Sequence, residues 1–209
     1  QSTSTNGITA SSITALTGSN SNNKLLWNTI SNANYGIVIN GSNTPAAMDI
    51  GWEISNSTIT NFAIGNGVAA SAYQKLGTTV QGILVNQIAD ANISYNTITS
   101  TNGSTTITIQ MIGILFGWSG IIVQPPTNNT ICQNNNITIN NALSENTYGI
   151  WSRTGDSTSS KTFENNVINL QNTSTIAVAG KFMKGIFQDI LIGELLILNN
   201  NITLSYDNV

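Results

Sequence analysis

The chain has 209 residues, 40% of them hydrophobic and only 7% charged, with a formal net charge of −3. That length suffices for one sizeable core, and a charged share far below the usual ~25% leaves no basic surface for nucleic acid. Histidine is absent, which removes the commonest general base and metal ligand, while Asn, Thr, Ser and Ile together exceed half of the residues.

Residues 1–22 are small and polar, with Ile8, Ile13 and Leu16 set among Thr, Ala and Ser. They read as an N-terminal arm that docks as a strand on a neighbouring subunit, ahead of a domain spanning 23–209. The first residue is Gln1 rather than Met, which reads as a processed or incomplete N-terminus and points to secretion.

From Leu25 onward a hexapeptide recurs: an apolar residue, two of any kind, Asn or Ser, one of any kind, then Ile. Copies run Leu25–Ile30, Ile54–Ile59, Ile93–Ile98, Cys132–Ile137, Phe163–Ile168 and Ile197–Ile202, and the closing isoleucines lie 29, 39, 39, 31 and 34 residues apart. Self-similarity at such periods is the signature of a solenoid. Two apolar residues five apart fit neither one helical face nor one face of an unbroken strand. A bend between them turns both inward, and Asn tolerates the left-handed conformation that such a bend requires. The fourth position is therefore read as a corner. Stacked coils set Asn28, Ser57, Asn96, Asn135, Asn166 and Asn200 above one another, as an amide ladder at the ~4.7 Å strand spacing.

A second motif, a Gly-Ile strand, occurs at Tyr35–Ile39, Gln81–Val85, Ile112–Leu115, Gly120–Val123, Tyr148–Trp151 and Lys184–Phe187. Together the motifs predict an all-β chain: a single right-handed parallel β-helix solenoid of about five to six coils, each of three short strands. Both apolar residues of each hexapeptide point inward. Cys132, the lone cysteine, is one of these and reads as a small core residue rather than a nucleophile. Connections vary in length, as loops on a constant coil do.

The array resembles the right-handed parallel β-helix repeat proteins of the pectate-lyase-like superfamily over about residues 24–204. The resemblance implies the fold; fold alone does not imply function. The enzymes of that superfamily carry an Asp-Asp pair, a Gly-His-Gly and an Arg-Ile-Lys, or a catalytic Arg beside calcium-binding acids. None of the first three motifs is present, and the only arginine is Arg153, followed by Asp156. The acids Asp49, Glu53 and Asp90 lie close enough in the repeat for a carboxylate pair across two coils. The chain otherwise offers no catalytic, metal or cofactor site, and it reads as a protein that is not an enzyme.

Three surface features remain. Trp27, Trp52, Trp118, Trp151, Tyr95 and Tyr148 read first as rings packed beneath loops and in the alternative as a sugar-stacking strip, with Trp27 and Tyr95 at one repeat position. A threonine rank at Thr29, Thr58 and Thr97 ends at Asn136, Val167 and Asn201, too short for an ice-binding face. Glycosylation sequons stand at Asn40, Asn56, Asn92, Asn102, Asn128, Asn136, Asn172 and Asn201. The longest apolar run, Met111 to Val123, is too short and too broken to span a membrane. The function these features predict is that of an extracellular or cell-surface structural subunit. It would form a head-to-tail homopolymer through its coil ends and arm, with Ile8, Ile13, Leu16, Leu25, Leu26, Ile202 and Leu204 as contacts. A cell-surface glycan-binding adhesin is the alternative; a polysaccharide lyase or hydrolase is a lesser one.

Overall fold

A computed structural model describes residues 6–11, 20–42, 49–62, 79–102, 110–117, 129–141, 145–153, 159–173, 181–189 and 192–206. Among them there is no helix, and the strands wind into six turns. β1 (Asn6–Ser11), β2 (Lys24–Leu26) and β3 (Thr29–Ser31) form the first turn. The second comprises β4 (Tyr35–Asn40), the short β5 (Asp49–Ile50), β6 (Glu53–Ser55) and β7 (Thr58–Thr60). The third has β8 (Thr79–Asn86), β9 (Ile88–Ala89), β10 (Asn92–Ser94) and β11 (Thr97–Asn102). β12 (Gln110–Phe116), β13 (Thr130–Gln133) and β14 (Asn136–Asn141) make the fourth, and β15 (Thr147–Ser152), β16 (Ser160–Glu164) and β17 (Val167–Asn172) the fifth. β18 (Met183–Gln188), β19 (Glu194–Leu198) and β20 (Asn201–Tyr206) close the series.

Each turn contributes one strand to each of three six-stranded parallel sheets: β1-β4-β8-β12-β15-β18, β2-β6-β10-β13-β16-β19 and β3-β7-β11-β14-β17-β20. The architecture is a parallel β-helix. The hexapeptide register is in phase from coil to coil: Ile54 aligns with Ile93, Ile93 with Cys132, Cys132 with Phe163, and Phe163 with Ile197. The closing isoleucines align in the same way from Ile30 to Ile202. Ile54, Ile59, Ile93, Ile98, Cys132, Ile137, Phe163 and Ile168 form the buried core, with Leu25 packed against its edge. The first sheet is buried on both faces along β8, β12 and β15. Its strands therefore read as continuous apolar runs rather than alternating ones.

Close packing accounts for the Gly-Ile signature. A Cβ built on Gly113 would lie 2.6 Å from Ile137 Cγ2 and 2.6 Å from the Gly149 carbonyl oxygen. Gly36, Gly82, Gly149 and Gly185 meet the closing isoleucine of their own turn in the same manner. The closing isoleucine and the glycine are one packing unit: the methyl group occupies the volume a side chain would need.

Two readings are corrected. Residues 6–11 are not an arm. They form β1, which pairs with β4 in the register Asn6–Tyr35 and Ile8–Ile37, so the solenoid begins before residue 23. Gly7-Ile8 is an unnoticed copy of the Gly-Ile strand, and Ile8 packs against the core instead of reaching outward. Ile13 and Leu16 lie outside the described residues. The second correction concerns the bend. The left-handed residue is the third of each hexapeptide, not the fourth: Trp27, Asn56, Tyr95, Asn134, Asn165 and Asn199 have φ between 52° and 59°. The fourth residue turns its side chain inward, where its hydrogen bonds rather than its backbone tolerance select it.

Candidate functional site

The corner between the second and third sheets is the most regular polar feature of the molecule. Four ladder residues, Ser57, Asn96, Asn135 and Asn166, are buried. Asn96 Nδ2 donates to Asn135 Oδ1 at 3.0 Å, Asn135 Nδ2 to Asn166 Oδ1 at 3.0 Å, and Asn166 Nδ2 to Asn200 Oδ1 at 2.9 Å. Each Nδ2 also donates backward, to the first residue of the preceding hexapeptide: Asn96 to Ile54 O, Asn135 to Ile93 O, Asn166 to Cys132 O and Asn200 to Phe163 O. Each Oδ1 accepts a second bond from a backbone: Asn96 N–H on Asn135, Asn135 N–H on Asn166, Asn166 N–H on Asn200. The amides are thus satisfied in a low-dielectric interior, where an unmade bond is costly.

The ladder is directional, and it has a flaw. Every amide oxygen faces the preceding coil. At Ser57 the hydroxyl accepts from Asn28 Nδ2 at 3.4 Å and donates to Ser55 O, so among the described residues no side-chain donor reaches Asn96 Oδ1, which accepts from Ser57 N–H. The ladder is therefore weakest between the first and third coils.

The six left-handed residues stack outside this ladder, tied by bonds from Trp27 N to Ser55 O, Asn56 N to Ser94 O, Tyr95 N to Gln133 O, Asn134 N to Glu164 O and Asn165 N to Leu198 O. They form an outward ridge. Trp27 is 75% and Tyr95 56% exposed. Trp52, Trp151 and Tyr148 are buried, as packed rings would be, which leaves Trp27 and Tyr95 among the described residues for an aromatic strip; Trp118 lies outside the described residues. The threonine rank Thr29, Thr58 and Thr97 is in register beside the ridge.

The candidate acids do not converge. Asp49 is buried and accepts from Asn20 N at 2.7 Å, and it aligns with Ile88 rather than Asp90. Glu53 pairs with Lys24 at 2.8 Å, and that hydrogen bond holds its carboxyl below the usual range. Arg153 binds Asp189 at 3.2 Å and lies over the Trp151 ring; Asp156 is outside the described residues. Among the described residues no three His, Cys, Asp or Glu side chains cluster as a metal site would need. Burial pushes the Cys132 thiol well above its ordinary value. One group escaped the sequence reading: Lys161, on β16 two residues before the inward Phe163, is buried with Nζ 2.5 Å from Ser152 Oγ. Burial lowers its pKa to about 7. The i, i+2 spacing from Phe163 was the available signal.

Of the sequons, Asn136 and Asn201 are exposed, and Asn40, Asn56, Asn92 and Asn172 are half-buried. Asn128 and the side chain of Asn102 are outside the described residues. Among the assembly candidates, Leu26 is exposed, and so are Ile202 at 42% and Leu204 at 45%. Leu26 lies in the first turn and the other two in the sixth, where Ile197 is 49% exposed while its counterparts Ile54, Ile93, Cys132 and Phe163 are fully buried. No helix of the described residues is long and apolar enough to cross a membrane.

A scan against protein-family models finds no match for this chain, and neither a search of curated proteins nor one of solved structures finds a similar one.

Proposed function

We propose that this protein is an extracellular structural subunit that polymerises head to tail into a filament or surface fibre through the ends of its β-helix. The observation that carries the reading is the edge at β18, β19 and β20, where Ile197, Ile202 and Leu204 are about half exposed. Burying each would contribute roughly 1 kcal/mol or more, half the value for a fully exposed aliphatic side chain. Polarity supports it too. Among the described residues Asn200 is the last donor of the ladder, and its Nδ2 donates to Leu198 O. At the opposite edge, Asn28 has no donor on its Oδ1 among the described residues. A second copy stacked with β1, β2 and β3 against β18, β19 and β20 would place that oxygen where the ladder calls for the next one. Such a contact joins unlike surfaces and propagates without closing. Low charge keeps repulsion between copies small. In this form the contact runs edge to edge and does not need an arm.

Sedimentation velocity and electron microscopy of the full chain test the reading. Filaments should form, and Ile202→Lys with Leu204→Lys should abolish them while leaving the circular dichroism spectrum unchanged. A wild-type chain that stays monomeric at high concentration would sink the proposal. We assign the protein no turnover. Incubation with polygalacturonate or neutral glycans, with and without calcium, should release neither reducing ends nor unsaturated products. The exposed Trp27 and Tyr95 favour a second role, as a cell-surface glycan-binding adhesin.

A further inference from the structure

We infer that the outer corner of the first three coils is a binding ridge for a neutral, extended oligosaccharide, with Trp27 and Tyr95 as its stacking platforms. The inference is independent of head-to-tail assembly and specifies the second role.

It starts from strain. The third hexapeptide position must adopt a left-handed backbone, which four of the six coils fill with Asn: Asn56, Asn134, Asn165 and Asn199. Asn visits this conformation at little cost, whereas a bulky aromatic side chain there is an outlier. Trp27 (φ 59°) and Tyr95 (φ 57°) accept that strain. Packing among the described residues recovers little of it, because Trp27 is 75% and Tyr95 56% exposed. Strained residues of this kind cluster at functional positions, which directs attention to these two.

The spacing then narrows the ligand. Trp27 and Tyr95 occupy the same repeat position two coils apart, with Asn56 between them. Two strand spacings set them about 9.6 Å apart along the solenoid axis. That distance is close to the two-sugar repeat of an extended β-1,4-linked chain, whose flat apolar faces recur on that period. Asn56 on the ridge and the Thr29, Thr58 and Thr97 hydroxyls beside it supply donors and acceptors at each rung. Charge narrows it further. Lys24 and Glu53 are the only charged residues in β2, β3, β6, β7, β10 and β11, and they neutralise each other at 2.8 Å. Among the described residues a uronan or a nucleic acid finds no uncompensated cation there; a neutral chain needs none.

The test uses the full chain with Trp27→Asn and Tyr95→Asn, substitutions that place at each corner the residue four other coils already use. The probes are cellohexaose, chitohexaose and mannohexaose, with hexagalacturonate as the anionic control, followed by isothermal titration calorimetry. At least one neutral hexaose should bind, and each substitution should weaken it by about fivefold to tenfold, the loss of one ring contact. Melting temperatures of both variants should equal or exceed that of the wild type. Four outcomes would overturn the inference: no neutral hexaose binds, the uronan binds best, the substitutions leave affinity unchanged, or they lower the melting temperature. Self-association lost in Trp27→Asn would also overturn it, since the ridge would then be a protein contact.

Discussion

Asn135→Ala is the sharpest probe of the ladder. The side chain is buried and makes bonds in both directions: Nδ2 to Ile93 O at 2.9 Å and to Asn166 Oδ1 at 3.0 Å, and Oδ1 from Asn96 N and Asn96 Nδ2, each at 3.0 Å. Truncation orphans the Asn96 backbone N–H, which has no other acceptor among the described residues, at about 1–3 kcal/mol for a buried unsatisfied donor. Four further bonds are lost, one of them the 3.4 Å bond from Nδ2 to Cys132 Sγ, while Asn96 Nδ2 retains Ile54 O and Asn166 Oδ1 retains Asn135 N–H. At a few tenths to about 1 kcal/mol apiece the total comes to roughly 2–7 kcal/mol. Asn28→Ala serves as the internal control, because its side chain forms a single 3.4 Å bond and is only half-buried. It should cost less than about 1 kcal/mol. Urea titration monitored by circular dichroism reads both, provided the m-values agree. If Asn135→Ala costs under 1 kcal/mol, or if the two variants are equal, the ladder does not stabilise the fold in the way argued.

Three more outcomes follow from the same geometry. Ser57→Asn should stabilise the chain by about 1 kcal/mol in the same titration, because an amide there would supply the missing donor to Asn96 Oδ1. Gly113→Ala should destabilise by several kcal/mol or prevent folding, since its Cβ would sit 2.6 Å from Ile137 Cγ2 and from the Gly149 carbonyl oxygen, and neither can yield without shifting a coil. Lys161 makes stability depend on pH. Its folded pKa near 7 lies below its ordinary value of 10.5, so between those limits the unfolded chain holds a proton that the folded chain lacks. Stability should therefore rise with pH, by up to about 1.4 kcal/mol per unit from pH 7.5 to 9.5, and Lys161→Met should flatten that profile. A wild-type profile already flat in that window would show that Lys161 is solvated.

The sequence by itself determined the coil. Paired apolar residues flanking a polar corner have one arrangement that buries both, and their recurrence from Leu25 to Ile202 placed the ladder residues before any coordinates. Beyond the ladder, contacts between sheets and coils were not legible there, because they depend on which atoms of distant turns meet. The inward cation Lys161 was hidden by the expectation that lysine faces water. The role of the Gly-Ile glycines lay in an isoleucine methyl group of another sheet. Residues 6–11 escaped because Gly7-Ile8 is too short to be recognised without the pairing to β4 that completes it. The left-handed residue was displaced by one position because Asn suits both a corner backbone and an amide ladder, and composition cannot separate the two. Only the stacked structure assigned the strain to Trp27 and Tyr95 and the hydrogen bonds to their neighbours: backbone dihedral and side-chain direction are settled by the coils on either side, not by the residue alone.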